Sequence, residues 1–159
     1  MSTFLLVIGA LLMSAAIVAT FRNLTASCVC AYAGIWAMRA SGHAPVPSGV
    51  LMFWAIAVLL VISITMTRGH APVMPARARY FIAGGALAGM AAGLMFYQAG
   101  AVIGAAAGAI LGGIAFSGLS RQRDFRTVGR WIVSAGLPAT VTMSLIALGI
   151  QGLLARTPL

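Results

Sequence analysis

The sequence predicts an all-α, polytopic integral membrane protein of about six transmembrane helices arranged as three hairpins. Three observations predict it. Hydrophobic residues make up 62% of the 159 and charged residues only 7%, against about 45–50% and about 25% in soluble domains, so too few charges exist to cover a water-facing surface. The apolar residues fall in runs near the length of one bilayer crossing. The ten basic residues, all arginine, sit with the single acid, Asp124, at the ends of those runs, where topology signals are found.

Along the chain the helices are expected at about 3–21, 24–38, 50–67, 80–96, 101–119 and 131–154, forming one transmembrane domain over 1–159. The first run, "MSTFLLVIGALLMSAAIVATF", has no positive leading region and no small-x-small cleavage site, so it reads as a retained span. It must break from the second near Arg22-Asn23, because one helix over both would far exceed the hydrocarbon core of about 30 Å. The third run lies between the Pro-containing loops "RASGHAPVPSG" and "RGHAPVMPARAR". Residues 80–119 as one helix would be about 60 Å long, so they fold back, with the turn expected at Tyr97-Gln98-Ala99-Gly100. The last run follows "SRQRDFRTVGR" and holds Pro138, which cannot donate to the carbonyl of Ser134 and favours a kink.

Alternation of these helices sorts the arginines. Arg22, Arg68, Arg77, Arg79, Arg121, Arg123, Arg126 and Arg130 fall on one side, and Arg39 and Arg156 on the other. The positive-inside rule puts the first group in the cytoplasm and both termini outside; the absence of lysine beside ten arginines points to a GC-rich bacterial source, and so to the bacterial cytoplasmic (inner) membrane. Arg68, Arg77, Arg79, Arg121, Arg123, Arg126 and Arg130 are the expected contacts for anionic lipid headgroups or anions. A formal charge of +9 in a soluble chain would suggest nucleic acid; arginines confined to span ends do not, and no nucleic-acid partner is expected.

Glycine recurs every four residues as Gly85, Gly89 and Gly93, then as Gly100, Gly104, Gly108 and Gly112. Residues four apart share a helix face, so each helix carries a strip without side chains, a glycine zipper over 80–119. Phosphate-loop readings fail, because no strand pattern precedes the tract and the chain has no lysine for a Walker-type ending. In lipid, small residues let backbones approach and gain dispersion and Cα–H···O contacts. The strips pack either against each other or against a second copy or membrane-complex partner.

The segments "ARYFIAGGALAGMAAGLMF", "YQAGAVIGAAAGAILGG" and "FRTVGRWIVSAGLPATVTMSLIAL", in that order after two short spans and a third ending at a basic loop, resemble an uncharacterised bacterial membrane family, domain of unknown function 456. The resemblance implies a bacterial glycine-zipper membrane protein and brings no activity with it. Two departures are "FRNLTA" where a Pro-Gly-rich turn follows the first span, and no acidic residue at 113–116.

Residues for chemistry are scarce. There is no glutamate, and Asp124 in "RQRDFR" suits pairing with its arginines or capping the next helix. His43 and His70 lie in loops expected on opposite sides of the membrane, so they share no metal. Cys28 and Cys30, two apart on a helix, point about 200° from each other and read as small buried hydrophobes. Trp36, Trp54 and Trp131 lie near run ends and read as headgroup-layer anchors. No catalytic residue, metal site or cofactor is expected.

The last helix carries the one polar stripe, Ser134, Gly136, Pro138, Thr140, Ser144 and Gln151. It lines a thin polar path, or its hydroxyls bond their own backbone and join helices. Two functions follow: a non-enzymatic scaffold or accessory subunit packing through its glycine helices, with lipids and a homo-oligomer or membrane complex as partners, or a small carrier, channel or lipid-moving protein for a neutral or anionic solute.

Overall fold

A computed structural model describes residues 2–42, 46–67, 74–120 and 125–154, and every regular element among them is helical. These are α1 (Ser2–Arg22), α2 (Leu24–Ala40), α3 (Ser48–Thr67), α4 (Ala76–Gly93), α5 (Tyr97–Leu119), α6 (Phe125–Trp131) and α7 (Leu137–Leu154). A 3-10 turn, Leu94–Phe96, joins α4 to α5, and a π-helical stretch, Ile132–Gly136, joins α6 to α7. Five stretches are long and apolar enough to cross a membrane: Thr3–Arg22, Ser48–Met66, Ala76–Phe96, Ala99–Leu119 and Arg126–Leu154. The remaining helix, α2, has 17 residues and is about 26 Å long.

Several boundaries differ from those the sequence suggests. α4 begins at Ala76, directly after Pro75, so Arg77 and Arg79 lie in its first turn instead of in a loop. α6 begins at Phe125, which takes Arg126 and Arg130 into helix as well. Hydropathy marks where lipid ends, whereas an arginine can extend its head toward water from a backbone that stays helical. α2 and α3 also run two residues further, to Ala40 and from Ser48. The reversal expected at Tyr97-Gln98-Ala99-Gly100 occurs earlier, at Leu94–Phe96, and residues 97–100 already belong to α5. An i→i+3 turn is tight enough to reverse the chain with no loop residues.

Asn23 alone separates α1 from α2. Its backbone is extended, and its side chain accepts from the amides of Thr25 and Ala26 at 3.2 and 3.4 Å, satisfying two donors that the helix start leaves open. α1 with α2, and α4 with α5, form two antiparallel hairpins. α7 runs between them and touches α1, α2, α3, α4 and α5. Its residues Thr142 through Gly149 are buried without a break, as expected of a helix enclosed by others. α3 packs on α2 and α7 and leaves Met52, Phe53, Ile56, Leu59 and Leu60 exposed.

Two of the three tryptophans depart from the anchor reading. Trp54 and Trp131 are each only 8% exposed and belong to the core, whereas Trp36 is 51% exposed. Position near a run end sets depth along the membrane, not which way a side chain points. Trp131 packs against Phe116, ring centroids 6.1 Å apart, and Phe116 against Phe81 at 5.7 Å.

Candidate functional site

The glycines of α4 and α5 stand opposite one another. A Cβ built on Gly85 would overlap the carbonyl of Gly108, one on Gly89 that of Gly104, and one on Gly93 that of Gly100; the reciprocal Cβ atoms meet the reciprocal carbonyls. Gly112 lies against the backbone of Phe81 and Ile82. Because both strips repeat every four residues, each contact recurs one turn further along, and the two backbones stay together over the whole hairpin. At each step the glycine hydrogen in place of Cβ faces a carbonyl oxygen, the arrangement of a weak Cα–H···O contact. All seven glycines are thus engaged within the chain.

A second close approach has no repeat to announce it. On α1 a Cβ at Gly9 would lie 3.0 Å from the carbonyl oxygen of Gly34 on α2 and 2.7 Å from Met38 Cγ. On α7, Gly149 makes room for the thioether of Met13. The only sequence signal is a lone glycine inside an apolar run, which hints at close packing but names no partner.

The polar stripe of the last helical run is closed on itself. Ser134 donates to the carbonyl of Trp131 at 3.2 Å, Thr140 to that of Gly136 at 2.7 Å, and Ser144 to that of Thr140 at 2.7 Å. Gly136 and Pro138 are buried and Gln151 half-buried. The π-helical stretch sits directly before Pro138, where the missing amide disturbs the i→i−4 ladder, and a π turn is a recognised way to absorb such a break. A cavity of about 10 Å³ adjoins Ser134 and Pro138, room for one water at most.

Sequence reasoning missed the polar contact that joins this run to α2. Thr142, fully buried, donates to the carbonyl of Pro138 at 2.9 Å. Its Oγ1 is 3.0 Å from Ser27 Oγ and 3.2 Å from Cys28 Sγ, and Cys28 also reaches the Pro138 carbonyl at 3.3 Å. Thr142 is two residues from both Thr140 and Ser144, so it faces away from those two hydroxyls and shares the face of Pro138. Only the neighbouring helix shows that it matters. Cys28 is therefore a polar partner as well as a filler, and Cys30 is half-buried; both are free thiols.

The arginines gather at one end. Arg79 donates to the carbonyl of Arg22 at 2.9 Å, capping the C-terminus of α1. Phe21 stacks on Tyr80 with centroids 6.0 Å apart. With the Phe81, Phe116 and Trp131 contacts, these place the end of α1, the start of α4, the end of α5 and the end of α6 together. Arg22, Arg77, Arg79, Arg126 and Arg130 share that end. Arg39 lies at the far end of α2, 5.9 Å over the ring of Trp36. A hollow of about 360 Å³ is bordered by Arg126, Gly129, Arg130 and Val133. Arg68, Arg121, Arg123, Arg156, Asp124, His43 and His70 lie outside the described residues. Among the described residues, no three His, Cys, Asp or Glu side chains group as a metal site would require.

No family model, curated protein or solved structure matches the chain. The likeness to domain of unknown function 456 rests on the quoted segments alone.

Proposed function

We propose that the chain is a non-enzymatic integral membrane protein, a compact scaffold or accessory subunit of a bacterial cytoplasmic membrane. It crosses six times, with α2 as the sixth crossing, the arginine end in the cytoplasm and both termini outside. The observation that carries the reading is the centre of the bundle: it is filled by α7, a helix buried from Thr142 through Gly149 and touched by α1, α2, α3, α4 and α5. A protein that moves solutes needs a route there that polar groups line. Here the hydroxyls of Ser134, Thr140 and Ser144 are each spent on their own helix. Support for α2 as a crossing comes from its packing along α1 and α7 from Ser27 to Met38.

The hairpin of α4 and α5 acts as a glycine zipper inside the chain, a rigid pair of crossings. Anionic headgroups at Arg22, Arg77, Arg79, Arg126 and Arg130 fix its depth and orientation. A second copy or a larger complex would use other faces, since the zipper is occupied.

The test is native mass spectrometry of the protein released from its own membrane, paired with flux measurements in liposomes. The reading expects a defined stoichiometry and no anion or neutral-solute flux above protein-free vesicles. A chain that is monomeric at every concentration, with saturable flux lost in Ser144→Leu, would overturn it in favour of the carrier.

A further inference from the structure

The outer face of the α4–α5 hairpin is hollow. A groove of about 820 Å³ runs along it from Phe81 to Phe96, floored by Gly84, Ala88 and Ala92 on α4 and by Ala107 on α5. We propose that the arginine-end half of this groove holds one acyl chain of an anionic phospholipid, with the headgroup phosphate at Arg77. The inference rests on the membrane reading above and adds a ligand to it.

Three features point to this occupant. The first is Gly84. The glycines of the zipper are explained by the carbonyls they face, but a Cβ on Gly84 would meet nothing within 4 Å. Glycine weakens a helix relative to alanine, and packing inside the chain gives no reason for it here. What its bareness does is deepen the groove.

The second is charge. Arg77 is exposed and stands one turn before Phe81, on the same helical face as Phe81, Gly84 and Ala88. Its side chain leans toward the N-terminal end of α4, away from the apolar floor. A cation in line with an apolar trough, at the headgroup end, complements an anionic lipid that enters chain first. From Phe81 to Phe96 the groove is about 22 Å long, and its arginine-end half with the turn from Arg77 to Phe81 spans about 17 Å, enough for a lipid tail that reaches about 15 Å from that leaflet to the midplane.

The third concerns the alternative, a second copy. Copies in one membrane share an orientation, so a two-fold contact through this face would set groove against groove. Such a contact would also bring the two Arg77 side chains to one seam at the same depth, where like charges repel. A flexible chain fills a hollow of this kind.

The experiment uses the full chain in vesicles of mixed phosphatidylcholine and phosphatidylglycerol, released gently and weighed with its lipids by native mass spectrometry. The wild type is expected to keep a single phosphatidylglycerol several-fold more often than phosphatidylcholine. Arg77→Gln should retain a lipid but lose the preference between headgroups. Gly84→Leu, whose Cβ meets nothing within 4 Å and whose side chain enters the hollow, should lose the retained lipid; Ala88→Leu, further along the same floor, should do the same. Equal retention by the wild type and both leucine variants would overturn the proposal, as would a wild type with no headgroup preference or a dimer that excludes lipid. Extraction at high pH separates the two failures: a chain that washes off the vesicles refutes the membrane reading, whereas one that stays inserted without preference refutes the lipid site alone.

Discussion

Two glycines five residues apart on α4, Gly84 and Gly89, show how a side chain's absence can serve opposite ends. A Cβ at Gly89 would press on the Gly104 backbone, with its carbonyl carbon only 2.8 Å away, and backbone cannot step aside as a flexible side chain can. Gly89→Ala should therefore cost about 1–3 kcal/mol, the range for overpacking a close-packed site. Gly84→Ala should be neutral or stabilising by up to about 1 kcal/mol, the usual gain of alanine over glycine in a helix. Thermal unfolding of both variants in one detergent checks the contrast. Thr142→Val keeps the shape and removes one hydroxyl, so it should lose about 1 kcal/mol, read the same way. The spacing in the sequence marks Gly89 and its repeat as a bare strip. It does not distinguish Gly84, because the difference lies in what stands across from each residue.

For whole helices, composition reveals that a segment is apolar and hides what makes it so. α3 and α7 are both rich in aliphatic residues, yet α3 faces outward along Met52, Ile56 and Leu60 while α7 is enclosed. Lipid tails and protein interiors are equally apolar, so hydropathy cannot separate them. The spacing of Thr140 and Ser144 shows a polar stripe that fits either a path or helix glue, whereas the central place of α7 follows only from contacts. The turn between α4 and α5 was illegible for a related reason: Leu94, Met95 and Phe96 carry no turn residue. A lipid-soluble thiol reagent tests the difference in a background without Cys28 and Cys30. Cysteines at Met52, Ile56 or Leu60 should label readily, and those at Met143, Leu145 or Ile146 should label at least ten-fold more slowly, the ratio that about 1.4 kcal/mol of protection would give.

For the molecule as a whole, the class was plain from composition, and the helical architecture with apolar spans agrees with it. The arginine pattern adds a polarity that no single helix contains. Arg22, Arg77, Arg79, Arg126 and Arg130 come from three separate helix ends in sequence and meet at one end of the bundle, tied by the Arg79 contact to the carbonyl of Arg22. That gathering is what the proposed topology needs, and topology is the central claim. The most direct measurement is labelling of single cysteines in intact cells by a membrane-impermeant maleimide. Cysteines at Gly42 and Ala99 should react from outside, while those at Ala76 and Ser120 should react only after the membrane is opened. Labelling of Ala76 or Ser120 from outside, or protection of Gly42 and Ala99, would contradict six crossings with the arginine end in the cytoplasm.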